Sequence, residues 1–220
     1  EFQFGTNWAK FSELTGGIIG QTLAMEGMFS FFLESSFLGI FLFGEKLLGH
    51  KWHFVTGLLI CIGSWASGYL IIATHSWMQN PVGYEILENG RFVLTNFKAL
   101  FLNPWLWPSY LHNQAASMVT SSFVVSGIGA FYVLSKKNLD YGKLFLKTGV
   151  VFGLISCVIV AVPTGDLLAK NVVKYQPVTF AAMEGIFHTE KKGSEIVLIG
   201  QPDVKDKNLD NYIAVPNILS

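Results

Sequence analysis

Four long apolar runs separated by short polar stretches organise this sequence. They cover about 17–43, 54–73, 110–134 and 144–162. Each reaches the roughly 20 residues that a helix needs to cross a hydrocarbon core, and Pro163 is expected to close the last. All four mix Gly, Ser and Ala with Leu, Ile and Phe, a composition that favours close helix contacts in a bundle over isolated anchors. The predicted fold class is therefore an all-α membrane protein: a transmembrane helix bundle over 1–165, then an extramembrane region over 166–220. In that last region KKGSE and DVKDKNLD turn polar and helical periodicity fades.

The short connections set an orientation. GEKLLGHKWH carries Lys46 and Lys51, and SKKNLDYGK carries Lys136, Lys137 and Lys143. Both fall on one side, which the positive-inside rule makes cytoplasmic. Residues 1–16, 76–109 and 163–220 then face outward. In the long loop Trp105, Trp107 and Tyr110 are expected to form an interfacial belt. The opening EFQFGTNWAKFSE lacks a basic stretch followed by an apolar run, so no signal peptide is expected.

Composition reinforces this picture. Hydrophobic residues make up 51% of the chain and charged residues only 14%, against about a quarter charged in soluble domains. The formal net charge is zero, and no Lys/Arg run could track phosphates, which argues against a nucleic-acid partner. Cys61 and Cys157 lie in apolar stretches and are expected to be buried thiols.

Within the first run, QTLAMEGMFSFFLESS places Glu26 and Glu34 where an ionised carboxylate is hardest to keep. Glu26 is roughly 14 Å deep at ~1.5 Å per residue. Eight residues separate the pair, a net rotation of roughly 80°, with Ser30 between them. Glu26, Ser30 and Glu34 are thus expected to form a polar strip facing the bundle. A central charge costs ~2.5–3.5 kcal/mol on insertion scales, so such residues usually serve ligands, ions or protons. The plainer reading is a pair of protonated, hydrogen-bonded carboxyls; two on one strip favour the functional one.

Two histidines lie on the outward side. His75 ends the second run, and His112 opens the third, with Ala115 and Ala116 one turn on. Small residues beside a His leave room for a flat macrocycle, and neutral imidazole is a common axial ligand of haem iron. A lone His is more often a hydrogen-bonded core residue. His50 and His53 are expected to be solvated, and His188 has no visible partner. The sequence contains no P-loop, GxSxG, HExxH, CxxC or Rossmann fingerprint. Physics alone leaves an oxidase, a transporter and a channel open.

The stretches GTNWAKFSE, LAMEGMFSFFLESSFLGIFLFG, GSWASGYLIIATHSWMQNP and QPVTFAAMEG, in that order, closely resemble subunit I of cytochrome bd-type ubiquinol oxidases. The resemblance covers essentially the whole chain, which looks like an internal portion of that subunit. It implies a terminal oxidase that takes electrons from ubiquinol or menaquinol at the outer face and reduces oxygen to water. A proton-motive force arises without pumping, in a bacterial plasma membrane and beside a second membrane subunit. The implied cofactors are low-spin and high-spin haem b, with haem d or a further haem b. Position by position, Glu26 falls at the oxygen-reducing haem pair as an axial or near-axial group. Glu34 and Ser67 fall on a proton route from the cytoplasm. His112 is an axial ligand of the low-spin haem, and Glu184 falls in the external quinol-oxidising loop. This portion alone is expected to be inactive, because other haem ligands lie outside it.

Two positions depart from the family pattern. Thr179 stands where many members carry Lys, and His75 where others have Asn, so that His75 is expected to bond a haem propionate or tune the oxygen site. Two further readings stand beside the oxidase: a transporter coupling protons or ions through Glu26 and Glu34, whose usual broken helices or inverted repeats are not visible here, and a haem-free remnant of the scaffold.

Overall fold

The structure, a computed structural model, describes residues 6–188 and 193–219. Four of its helices are long and apolar enough to cross a membrane: α1 (Ala9–Phe43), α2 (Glu45–Gln79), α4 (Leu106–Leu134) and α5 (Leu139–Tyr175). Between α2 and α4 lie a hairpin of β1 (Tyr84–Ile86) and β2 (Phe92–Leu94) and the short helix α3 (Phe97–Phe101). Helix α6 (Pro177–Met183) and a second antiparallel hairpin, β3 (Ser194–Asp203) with β4 (Asn208–Leu219), complete the order. The chain divides into two compact units after Leu168.

All four helices start before their hydrophobic runs, and α2 and α5 also continue past them, because backbone hydrogen bonding does not stop where side chains become polar. Helix α2 begins at Glu45 rather than near 54. It is kinked just after its first turn, at Gly49, whose φ of 71° suits a residue without Cβ. Pro163 does not close the last run. It sits in a π-helical turn, Val160–Thr164, through which the helix continues. The connection from α4 to α5 is a tight turn in which Lys136 and Asn138 adopt positive φ.

Close packing follows the small residues, as expected for helices that gain no hydrophobic drive in lipid. Helices α4 and α5 meet where Gly129, Gly142 and Gly149 face neighbouring backbone and the Ser122 and Ser126 positions. Large apolar side chains such as Phe123, Phe131, Leu154 and Val158 point outward. Cys61 and Cys157 are also on the outer surface rather than buried; on a membrane-spanning helix an apolar position need not face the protein core.

The loop between α2 and α4 is ordered by burial and by one polar hub. Ile18, Trp77, Leu94 and Leu100 form an apolar cluster, with Tyr84 and Phe92 edge-on to Trp77. Asn103, 1% exposed, donates to the carbonyls of Ser76 and Asn80 and accepts from the Trp105 backbone. The expected aromatic belt is only partly realised. Trp105 and Tyr110 are buried, while Trp107 is 49% exposed. Tyr110 instead donates to the Trp65 carbonyl at 3.0 Å, so it braces α4 against α2.

Candidate functional site

Glu26 opens a π-helical turn, Glu26–Phe31, inside α1. Such a turn widens the helix by one residue, costs good hydrogen-bond geometry and is found disproportionately at functional sites. Here it accompanies burial of both Glu26, 7% exposed, and Ser30, 3% exposed. The wider turn also reduces the rotation between Glu26 and Glu34 from that of a regular helix.

The facing wall is α2. Ser67 Oγ donates to Glu26 Oε1 at 2.7 Å. One turn away, Gly63 lets the two helices close. A Cβ there would lie 2.9 Å from Leu33 Cδ2 and 3.3 Å from both the Glu34 nitrogen and the Ser30 carbonyl oxygen. Glu34 is half-buried, less enclosed than Glu26. The strip expected from sequence is therefore graded: Glu26 and Ser30 are enclosed, and Glu34 is reached from outside the interface.

Polar groups continue along the same interface in both directions. The Thr22 and Thr74 hydroxyls bond to each other on one side of Glu26. On the other side lie buried Thr56, which donates to the His53 carbonyl at 2.7 Å, and His53 itself. His53 is not the solvated side chain expected. It is half-buried, stacks on Phe41 with centroids 4.6 Å apart, and bonds the Phe41 carbonyl through Nε2 at 2.9 Å. That carbonyl lies in the last turn of α1, where helical partners run out. His50 is solvated as expected, with 96% of its side chain exposed.

His112 is held by a different pair of helices. Half-buried on α4, it places Nδ1 3.2 Å from Oγ1 of Thr164, a buried residue of the α5 π-turn. No hydrogen bond or ion pair joins His112 to Glu26 among the described residues. The two are nevertheless at a similar level along α2. Ser67 holds Glu26, while the adjacent Gly68 would place a Cβ 2.8 Å from Gln114 Nε2, two residues beyond His112. Ala115 is buried, so it is not open to a ligand beside His112. His75 lies exposed on α2, with Nε2 3.4 Å from Gln79 Nε2.

In the second unit Glu184 follows the last turn of α6 and is half-buried. It borders a cavity of about 440 Å³ with Gly185, Phe187, Val197, Ile199 and Leu209. Thr179 is exposed on α6 and His188 is exposed beyond it.

The donor chemistry suits axial ligation of haem iron. Ser67 occupies one oxygen of Glu26 and leaves Oε2 without a hydrogen-bonded protein partner among the described residues. His112 is anchored through Nδ1, with no protein partner to Nε2 among the described residues. Among the described residues no group of three or more His, Cys, Asp or Glu side chains could hold a bare metal ion. A haem needs less, because its macrocycle supplies the equatorial nitrogens and the protein supplies axial side chains.

Sequence reasoning missed Thr164, Thr56 and the role of His53. The signal for Thr164 was present in VPTG: a helical Pro leaves a carbonyl without its usual donor, and a hydroxyl next to it can take that place.

Comparison with known proteins supplies the family. The sequence profile described as cytochrome bd terminal oxidase subunit I matches residues 1–220. The cytochrome bd ubiquinol oxidase subunit 1 of Bacillus subtilis (strain 168) is 34% identical over 220 residues, covering 100% of this chain and 47% of that protein. The cytochrome bd-II ubiquinol oxidase subunit 1 of Escherichia coli (strain K12) is also 34% identical over 220 residues, covering 43% of its length. A solved bd oxidase from Geobacillus thermodenitrificans superposes with a TM-score of 0.83 at 30% identity, over 94% of this chain and 47% of that one. The chain spans about half the length of the curated relatives it matches. With four candidate membrane helices, a buried carboxylate at a π-turn and a profile match from end to end, this chain belongs to the cytochrome bd terminal oxidase subunit I family.

Proposed function

We propose that the protein containing this chain is the catalytic subunit of a quinol:oxygen oxidoreductase in a bacterial plasma membrane, working with a second membrane subunit. The observation that carries the reading is Glu26: a buried carboxylate at a π-turn, bonded by Ser67 across the helix interface, in a chain of this family. Keeping a carboxylate there is costly. Nothing in the relatives' descriptions supports the transporter reading of the same residues.

His112 is the proposed axial ligand of a low-spin haem b, and Glu26 the axial or near-axial group at the oxygen-reducing haems, b with d or a further b. Bound haem supplies one-electron transfer and oxygen activation. His75, exposed beside Gln79, is proposed only to tune the oxygen site or bond a propionate.

The chain's own residues handle the protons. Glu184 is the proposed acceptor of a proton from ubiquinol or menaquinol in the external loop region, 166–220, where its carboxylate stands beside a cavity. Protons consumed in making water enter from the Lys-rich cytoplasmic face and reach Glu34. They pass along the α1–α2 interface, where the Ser67 hydroxyl and the Glu26 carboxylate are already hydrogen-bonded. Release on one side and uptake on the other charge the membrane without a pump. Residues 1–16, 76–109 and 163–220 are assigned to the outer side on the positive-inside rule.

The test is quinol-driven oxygen consumption by the full-length protein with its partner subunit, in membranes lacking other terminal oxidases. Consumption with protons released outside is the expected result; no consumption by a fully assembled complex overturns the reading.

A further inference from the structure

We infer that Thr164 is a positioning residue that fixes the tautomer and the ring orientation of His112. The inference rests on the proposed role of His112 as an axial ligand, and its geometry is independent of that role.

The π-turn creates the site. Pro163 has no N–H to offer the Ile159 carbonyl four residues back. Thr164 Oγ1 donates to that carbonyl at 2.9 Å, with the Val160 carbonyl at 3.3 Å. A hydroxyl has one proton and two lone pairs, and both carbonyls can only accept. With its proton committed to Ile159, the hydroxyl presents a lone pair to His112 Nδ1 at 3.2 Å. Nδ1 must then carry the proton and donate it to Oγ1. Turning the hydroxyl the other way would set its lone pairs against a carbonyl oxygen 2.9 Å away.

Two consequences follow. A neutral imidazole protonated at Nδ1 has its lone pair on Nε2, the nitrogen then available to iron. Donation from Nδ1–H also fixes the ring orientation and strengthens Nε2 as an electron donor to iron, the usual effect of a partner on a metal-binding histidine. Thr164 is 5% exposed, so water does not readily substitute for it. The irregular turn around Pro163 therefore has a use: it aims a hydroxyl that is already spoken for at the back of the ligand.

The test uses the complete oxidase with its partner subunit, comparing Thr164→Val, which keeps shape and removes the hydroxyl, with Thr164→Ser, which keeps the hydroxyl. His112→Ala is the control for the underlying reading. Thr164→Val is expected to raise the low-spin haem midpoint potential, because a weaker donor favours ferrous iron, and to speed haem transfer to apomyoglobin about 10–100-fold, the usual range for losing such a partner. Thr164→Ser should match the wild type in both. Wild-type values in Thr164→Val, or equal disturbance in Val and Ser variants, overturns the inference while leaving His112 as ligand. A low-spin band that survives His112→Ala overturns the ligand reading itself and the inference with it. Should Thr164→Val fail to assemble, electron spin echo spectroscopy of the wild-type oxidised haem decides: the remote nitrogen should report a hydrogen-bonded N–H, and a free N–H contradicts the inference.

Discussion

Ser67 on α2 donates to Glu26 on α1 across the helix interface, Oγ to Oε1 at 2.7 Å, at the point where α1 widens into a π-turn. The hydroxyl donor fixes which oxygen of the carboxyl group stays available. Ser67→Ala should therefore disturb the oxygen-site absorbance less than Glu26→Ala, since it removes one hydrogen bond, worth roughly 0.5–1.5 kcal/mol, and leaves the Glu26 side chain present. Spectra of the two variants at equal protein content measure this. Unchanged oxygen-site spectra in Glu26→Ala would contradict its placement.

Glu34 is half-buried at the Gly63 closure, its backbone nitrogen 3.3 Å from where a Cβ on Gly63 would lie, and is more accessible than Glu26. Such a position suits a group that loads and unloads protons. Glu34→Gln should lower turnover at least tenfold while haem content stays near the wild type, because a general acid–base group typically contributes 10²–10⁴-fold. Parallel measurement of oxygen consumption and haem per protein checks it, and full consumption would remove Glu34 from the route.

Gly63 controls the spacing of the same two helices. A methyl at this position meets Leu33 Cδ2 at 2.9 Å and two backbone atoms at 3.3 Å. Gly63→Ala should cost about 1–3 kcal/mol, the usual range for overpacking, and Gly63→Leu should block assembly. Thermal stability in detergent, followed by size-exclusion recovery, reports both. A Gly63→Ala protein as stable as the parent would mean the interface is looser than these contacts indicate.

Glu184 borders the cavity of the second unit. Glu184→Gln should lower quinol-driven turnover while oxygen consumption driven by an artificial electron donor to the haems persists. The ratio of the two rates is the readout; equal loss of both would detach Glu184 from quinol oxidation.

The four spans and the place of Glu26 inside the first could be read directly from the sequence, because an apolar run of membrane length and a carboxylate within it are both local signals. Their limits could not. Glu45 and Gln79 are polar yet helical, since hydropathy marks the bilayer and not the end of backbone hydrogen bonding. Pro163 looked like a stop, yet the π-turn and the Thr164 hydroxyl accommodate it. The β1–β2 hairpin carries its own local signal, Asn89-Gly90 between two apolar stretches, but its strands are too short to register as apolar runs of membrane length. Tyr110 and Trp105 look like belt residues by type, but only tertiary contacts reveal that they are buried. The pairing of His112 with Thr164 lies 52 positions apart in sequence, and no local pattern joins them.

The central claim is that imidazole and carboxylate are held between these helices to serve haem. A reduced-minus-oxidised visible spectrum of the full-length protein with its partner subunit, recorded beside His112→Ala, tests it most directly. Haem bands in the parent, with the low-spin band lost in the variant and membrane insertion intact, are the predicted result. An assembled parent without haem absorbance, or a variant that keeps its low-spin band, would contradict the account.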